Sequence, residues 1–404
     1  MIAKEKLSDS RVTSRVSIIV LILGIVFAAA NLRAPITGVG PIIDTIRQDM
    51  GLSSTLAGML TTIPLLAFAI ISPIAPKIAS RFGLETTIFG AMFLLTAGIL
   101  LRYVTYIHTL FLGTALIGIA IAVCNVLLPG LVKQAFPEKV GLMTGTYSLS
   151  MNLWAAIASG VSIPISQGLG LGWQNALVCW IFLSIIAILF WIPQIRFSNR
   201  PGNSIKRSGP SLWHSSLAWK VALFMGLQST VFYTVITWLP SILHSQGISH
   251  SAAGWLLSLT QFVSLPATFI VPILAARFSS QRGLVMIIVL CLIFGYIGLL
   301  SGITWLAPLF VMLIGIFLGA AFSLATMFFV LRTHNAQQAA ELSGMAQSIG
   351  YLLAAIGPAL FGFIHDITHS WTIPLVILCA GAVPLFIMGM EAGSAKYVTG
   401  DETK

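Results

Sequence analysis

Apolar runs recur along almost the whole of this sequence. Each reaches the roughly 18 to 20 residues that a helix rising about 1.5 Å per residue needs to cross a hydrocarbon core about 30 Å thick. Inside lipid every backbone N–H and C=O must be paired within the chain, so only helices and closed barrels can span. A barrel would be written as alternating segments of about ten residues, whereas these runs are longer and continuously apolar. The expected fold class is therefore an all-α polytopic membrane protein. A charged fraction of 8%, against about 25% in soluble domains, excludes an ordinary soluble enzyme.

Polar punctuation resolves the runs into twelve expected transmembrane helices, centred near Ala30, Leu65, Leu95, Ala122, Leu153, Ser184, Tyr233, Phe262, Leu292, Phe317, Leu353 and Ala380. The connections are short, except for a basic, turn-rich stretch from Arg196 to His214 that holds Arg200, Pro201, Gly202, Lys206, Arg207 and Pro210. The chain is thus read as an N-terminal six-helix half at 1–195, a cytoplasmic basic linker at 196–216, and a C-terminal six-helix half at 217–404 that includes a short cytoplasmic tail. Lys4, Lys6, Arg11 and Arg15 precede the first apolar run, which begins near Val16 and is too long for a signal peptide, so it is expected as a retained helix.

The net charge of +10 carries the orientation. Basic loops stay cytoplasmic. With the N-terminus inside, 18 of the 21 Lys and Arg residues fall on the cytoplasmic side, Arg47 and Arg102 fall in outer loops, and Arg33 alone lies deep in a helix. Both termini are then cytoplasmic, in a bacterial-type plasma membrane. The basic balance is a membrane-orientation signal and no nucleic acid is implied. The partners expected are the lipid bilayer, a small-molecule substrate and, as a further candidate, protons, and the expected assembly is a monomer.

Cys124, Cys179, Cys291 and Cys379 all lie inside apolar runs and form no Cys-x-x-Cys pair, which argues against disulfide frameworks and zinc sites. The seven histidines fall in loops or at helix ends. Only His365 and His369 have a metal-compatible i, i+4 spacing, with a single acid, Asp366, beside them, and no metal or cofactor is expected. No phosphate-binding Gly-x-x-x-x-Gly-Lys-Ser/Thr loop is present.

The two halves repeat. Leu52–Gly83 aligns without a gap on Ile248–Ser279, setting Gly58 on Gly254, Pro76 on Pro272 and Arg81-Phe82 on Arg277-Phe278. A second match sets Leu153–Ile157 on Leu352–Ile356 and Gly145 on Gly344. Two matches in the second and fifth helices of each half describe a parallel duplication of a six-helix unit, the arrangement in which pseudo-symmetric halves rock about a midplane site.

On these features the chain resembles the major facilitator superfamily from about Val16 to Met390. That superfamily's signature loop, G-x-x-x-D-R-x-G-R-K, corresponds here to Pro76–Glu85, and only Arg81 and Gly83 keep the pattern. Ser80 replaces the Asp, so the charge-based lock credited to that loop lacks its acid. Arg81 and Arg277 fit a gating role and fit equally as topology anchors beside lipid headgroups. The first-helix run Asn31-Leu32-Arg33-Ala34-Pro35-Ile36-Thr37-Gly38-Val39-Gly40-Pro41, followed by Leu60–Leu65, resembles the cyanate porter and nitroimidazole exporter branch. The resemblance implies small polar or anionic solutes, in a branch with both uptake and export members.

Arg33 is also informative without the family. An unpaired Arg at mid-depth costs at least about 2.5–3.5 kcal/mol, and the eleven carboxylates all lie toward one membrane face or the other. A cation whose own chain supplies no nearby acid describes an anion site, and Arg offers a planar fork suited to carboxylate-like groups. The alternative is that Arg33 bonds helix carbonyls and hydroxyls. Pro35 frees the carbonyl of Asn31 and kinks the helix, which serves either reading. Thr37 lies one turn on, on the same face. Asn31 points about 200° away on a regular helix and is assigned to helix packing.

The resemblance also implies a cavity lined by mid-depth residues of the other helices: Asn125, Tyr147, Asn152, Gln228, Tyr233, Gln261, Gln347 and Tyr351, each of which serves equally as interhelical glue. Gln228 and Gln261 rank highest, as uncharged donors in the half without a mid-depth Arg. The expected function is secondary active transport of a small polar or anionic solute by alternating access. A multidrug efflux antiporter is the alternative within the superfamily, although drug–proton exchange ordinarily uses an intramembrane carboxylate. A receptor lacks an output domain, and an intramembrane enzyme lacks a buried nucleophile, acid pair or metal cluster. A reporter fused after Lys404 is expected to be active only on the cytoplasmic side, and a periplasmic signal would refute the topology.

Overall fold

The computed structural model describes residues 18–52, 54–195 and 212–398. Among these, eleven helices are long and apolar enough to cross a membrane, and one bent pair brings the number to twelve. In chain order they are α1 Ile18–Ile42, α2 Met59–Ile71 with Ala75–Phe82, α3 Leu84–Tyr103, α4 Ile107–Ala135, α5 Pro137–Gly168 and α6 Gly172–Ile195. They continue as α7 Ser216–Ser245, α8 Ala252–Arg277, α9 Arg282–Leu300, α10 Thr304–Leu331, α11 Ala336–His365 and α12 Thr372–Ala392. Every helix centre expected from the sequence falls inside one of them. Large apolar side chains such as Phe262, Phe294, Leu189 and Ile356 face outward, as a hydrocarbon solvent permits. Of the expected linker, residues 196–211 lie outside the described residues; Leu212–His214 form a single 3-10 turn, and Ser215 caps α7 by accepting from the Ala218 N–H.

The helix contacts gather into two compact units. One is built on Met1–Pro64, Lys77–Asn125 and Ser150–Ile205, the other on Leu65–Pro76, Val126–Leu149 and Lys206–Lys404. In the first, the C-terminal end of α1 and the segment after it are held by a core of Val39, Ile42, Ile46, Leu60, Leu110, Trp173 and Leu177. The Trp173 indole donates to Asp49 Oδ2 at 2.7 Å.

In the second unit the repeat takes on a physical meaning. Gly145 of α5 and Gly344 of α11, equivalent in the repeat, each press their Cα against the backbone of a helix from the other sequence match. A Cβ on Gly145 would lie 2.7 Å from the Phe269 carbonyl oxygen of α8, and one on Gly344 would lie 2.6 Å from that of Ser72 in α2. Ser72 is the repeat equivalent of Thr268, next to Phe269. Close backbone approach across small residues is how helices associate where lipid removes the hydrophobic driving force.

The repeat is not perfect in shape. α8 runs unbroken through Pro266 and Pro272, whereas α2 bends by 59° between Ile71 and Ala75. The difference lies at Pro73, which stands where the repeat has Phe269. A proline has no N–H for the carbonyl four residues back and its ring crowds that carbonyl, so Ala69 O loses its helical donor. Ser348 Oγ of α11 takes it up at 2.6 Å.

These contacts make Gly145→Val and Gly344→Val overpacking substitutions against rigid backbone, each expected to cost about 1–3 kcal/mol, read as a lower melting midpoint in detergent. Gly160→Ala, on α5 with open space around its Cα, is the control and should not lower the midpoint, and the better helix propensity of Ala should raise it slightly. Equal behaviour of all three would show that the close crossings contribute nothing.

Candidate functional site

α1 is helical over 18–30, turns over 31–33, resumes over Ala34–Thr37, and tightens to 3-10 geometry over Gly40–Ile42. Asn31 and Leu32 donate to Ala28 O and Ala29 O, a three-residue spacing. Arg33 leaves helical geometry at φ −128°, ψ −37°. The interruption is where Pro35 forbids a continuous ladder, and irregular backbone at membrane depth is tolerated where protein or a cavity satisfies it.

α5 supplies much of that satisfaction. Ser150 Oγ donates to Val26 O at 2.8 Å, Arg33 Nη1 donates to Asn152 Oδ1 at 2.9 Å, and Thr37 Oγ1 lies 3.1 Å from Arg33 O and 3.2 Å from Ala155 O. Ser159 Oγ returns to Thr37 O at 3.3 Å. Gly38 completes the fit, since a Cβ there would fall 3.1 Å from Ser162 Oγ and 3.2 Å from Trp180 Nε1. Arg33, Thr37 and Asn152 are thus brought together, half-buried, at the break. Asn31 is fully buried and its amide donates to Phe27 O at 2.8 Å, as a packing residue would.

The remaining candidates lie on α4, α5, α7, α8 and α11. Asn125 is half-buried on α4. In the second unit Gln228 is buried and spends its Nε2 on Met225 O, Met225 Sδ and Ser229 Oγ within α7. Gln347 is buried and donates to Ser343 Oγ, while Tyr351 packs on Phe68 at 4.8 Å. Tyr147 is buried, and Tyr233 and Gln261 are half-buried, the former packed edge-on against Phe232. Arg81 and Arg277 are exposed, in keeping with anchors at a membrane face. No group of three or more His, Cys, Asp or Glu suited to a metal exists among the described residues.

Three cations that the charge count placed at the membrane faces turn inward instead. Arg102, expected in an outer loop, is the penultimate residue of α3 and only 2% exposed. Its Nη1 donates to Pro35 O at 2.6 Å and its Nε to Thr114 Oγ1 at 3.1 Å. Arg33 is therefore not the sole cation taken into the helices. The sequence signal was Gly98, which shares a helix face with Arg102 and marks a close helix crossing.

Lys133 of α4 is half-buried, with its ammonium on the carbonyl oxygens of Val330 and Thr333 and on Thr333 Oγ1. It neutralises the carbonyl-rich end of α10. Arg332 reaches Ala392 O at 3.0 Å and Gln281 Oε1 and stacks on Phe328, and burial pushes its pKa down to about 10, which leaves it cationic at neutral pH. Lys220 instead meets a carboxylate, Glu391, at 2.8 Å.

Eleven apolar helices and one bent pair among the described residues, with a repeat in the sequence and a polar break in the first helix, define the class of polytopic membrane transporters. Residues 19–358 match the Major Facilitator Superfamily, and the chain belongs to that family. It is 48% identical to the uncharacterized transporter YycB of Bacillus subtilis (strain 168), over 94% of each chain. It is 42% identical to the 2-nitroimidazole transporter of Escherichia coli (strain K12), over 94% of this chain and 97% of that one. With the cyanate transport protein CynX of the same organism it shares 22% identity, over 93% and 98%. Its fold matches the major facilitator superfamily transporter FucP with a TM-score of 0.74 at 13% identity, covering 92% and 97% of the two chains. The protein is a multi-pass membrane transporter and not an enzyme.

Lys133→Met removes the charge-assisted contact to Thr333 O and leaves Val330 O only the Thr333 hydroxyl at 3.3 Å, with an expected loss of about 1.5–3 kcal/mol. Lys139→Met, at an exposed position, should stay within about 0.5 kcal/mol. Melting midpoints of the two purified variants compare these costs, and equal midpoints would remove Lys133 from the list of structural contacts.

Proposed function

We propose that this transporter carries a small polar or anionic solute, of the class of a cyanate-like anion, a small carboxylate or a nitroimidazole-like heterocycle, and that Arg33 is its central polar contact. Transport proceeds by alternating access of two six-helix halves, 1–195 and 217–404, in a bacterial-type plasma membrane with both termini cytoplasmic. The observation that carries the reading is the setting of Arg33: a half-buried guanidinium at a helix break, aimed by the neutral amide oxygen of Asn152. Asn152 orients the guanidinium through a neutral amide, and a cationic planar fork held at a helix break suits an anion or the electron-rich edge of a polar heterocycle. Relatives named for 2-nitroimidazole and cyanate transport support the same solute class.

Thr37 and Asn152 act with Arg33 in this scheme. Thr37 ties the break to α5 through Ala155 O, and Asn152 fixes the rotamer of the guanidinium. Uptake into vesicles of cyanate and of 2-nitroimidazole, with the Arg33 variants, is the test. Arg33→Gln keeps hydrogen-bonding capacity without charge and should abolish transport. Arg33→Lys keeps charge without the planar fork and should retain a reduced rate, with folded yield intact in both. Full transport by folded Arg33→Gln would refute the assignment.

A further inference from the structure

Arg102 is buried at a depth that topology alone does not explain. Its charge reaches the bundle interior because α3 and α4 touch backbone to backbone. A Cβ on Gly98 would lie 2.8 Å from Gly113 O, and one on Gly113 would lie 2.6 Å from Gly98 O and 3.1 Å from Arg102 Cγ. The two glycines let the helices close, and the side chain one turn beyond Gly98 is carried inward rather than out to the interface.

The acceptor it meets is special. Thr37 N–H goes to Arg33 O and Gly38 N–H to Ala34 O, as in a helix, but Val39 N–H turns back to Ile36 O at 3.2 Å. The carbonyl of Pro35 is passed over. An orphaned carbonyl inside a membrane protein needs another donor, and Arg102 Nη1 supplies it at 2.6 Å. The fork is steadied on its other edge by Thr114 Oγ1, which itself donates to Leu110 O at 2.7 Å. Nη2 is buried with no partner among the described residues, so the guanidinium is held by its backbone contact at a desolvation cost.

We propose that Arg102 is a positioning residue for transport, a clamp that holds α1 broken after Pro35 and thereby sets the aim of Arg33, two residues upstream of the clamped carbonyl. The role rests on the reading of Arg33 as the substrate contact. Arg102 touches no substrate: it acts through backbone, by its contact with the Pro35 carbonyl. A merely structural cation would affect folded yield alone. A clamp on the break changes the local geometry of α1 and the affinity for solute together.

The experiment separates these. Gly40, exposed and with open space around it, is replaced by cysteine in a chain whose four native cysteines are alanine, and the maleimide labelling rate reports the break without any substrate. KM and kcat for 2-nitroimidazole and for cyanate are measured in vesicles on Arg102→Lys, Arg102→Met, Thr114→Val and Arg33→Gln. With the clamp lost, Arg102→Met should change labelling several-fold and raise KM by about tenfold to a hundredfold, the range that loss of one charge-assisted hydrogen bond supports, with a smaller change in kcat. Arg102→Lys, which still reaches one carbonyl, should fall between it and the parent, and Thr114→Val, which removes the second hold on the fork, should shift both readouts in the same direction by a smaller amount. If Arg102→Met does not fold, Arg102→Lys and Thr114→Val carry the comparison. Parental labelling and parental KM in folded Arg102→Lys and Arg102→Met would overturn the clamp even where Arg33→Gln abolishes transport. Altered labelling and KM in the Arg102 variants with a normal KM in Arg33→Gln would overturn the Arg33 contact and leave the clamp on α1 standing.

Discussion

A carbonyl released from its helix inside a hydrocarbon solvent must find another donor, and much of this structure follows from where those donors come from. In α1 the Val39 N–H turns to Ile36 O and passes over Pro35 O, and in α2 Pro73 withholds a donor from Ala69 O; Arg102 captures the first and Ser348 the second. Helix ends pose the same problem, and Lys133 and Arg332 solve it at the ends of α10 and α12. With so few carboxylates in the apolar part of the chain, buried cations spend their charge on backbone oxygen. The same contacts therefore satisfy the cation and the broken helix at once.

This exchange explains how a polar site can be built in so apolar a bundle. A break in α1 exposes backbone polarity, α5 meets it with Ser150, Asn152 and Ser159, and α3 meets it from elsewhere with Arg102. The result is a rigid irregular segment, which suits a group that must present a guanidinium in one orientation. The second unit uses the complementary device. Where α5 crosses α8 and α11 crosses α2, glycine removes side chains altogether and lets backbone meet backbone.

Much of this was legible before any coordinates. The length and continuity of the apolar runs determined the helical class, because lipid permits little else, and each helix centre falls in an observed helix. The internal match singled out Gly145 and Gly344, although their role as crossing points waited on the structure. Arg33, Thr37 and Pro35 stood out because a charge, a hydroxyl and a helix breaker are costly at mid-depth, and the three do share the break in α1. Asn152 was one name among eight interchangeable ones until its amide was found on Arg33. Gln228, ranked high for its chemistry, turns its amide onto its own helix.

Sequence by itself determined what the solvent dictates: the helical spans and the prolines at which a helix can break, both of which follow from residue type and order alone. Tertiary structure decided the partners. Arg102 looked like a loop cation because hydropathy measures distance along one helix and says nothing of the Gly98–Gly113 crossing that draws it inward. A freed carbonyl is visible in the sequence wherever a proline stands. Which side chain answers it depends on which helix lies within about 3 Å, the reach of a hydrogen bond, and that is set only when the bundle packs.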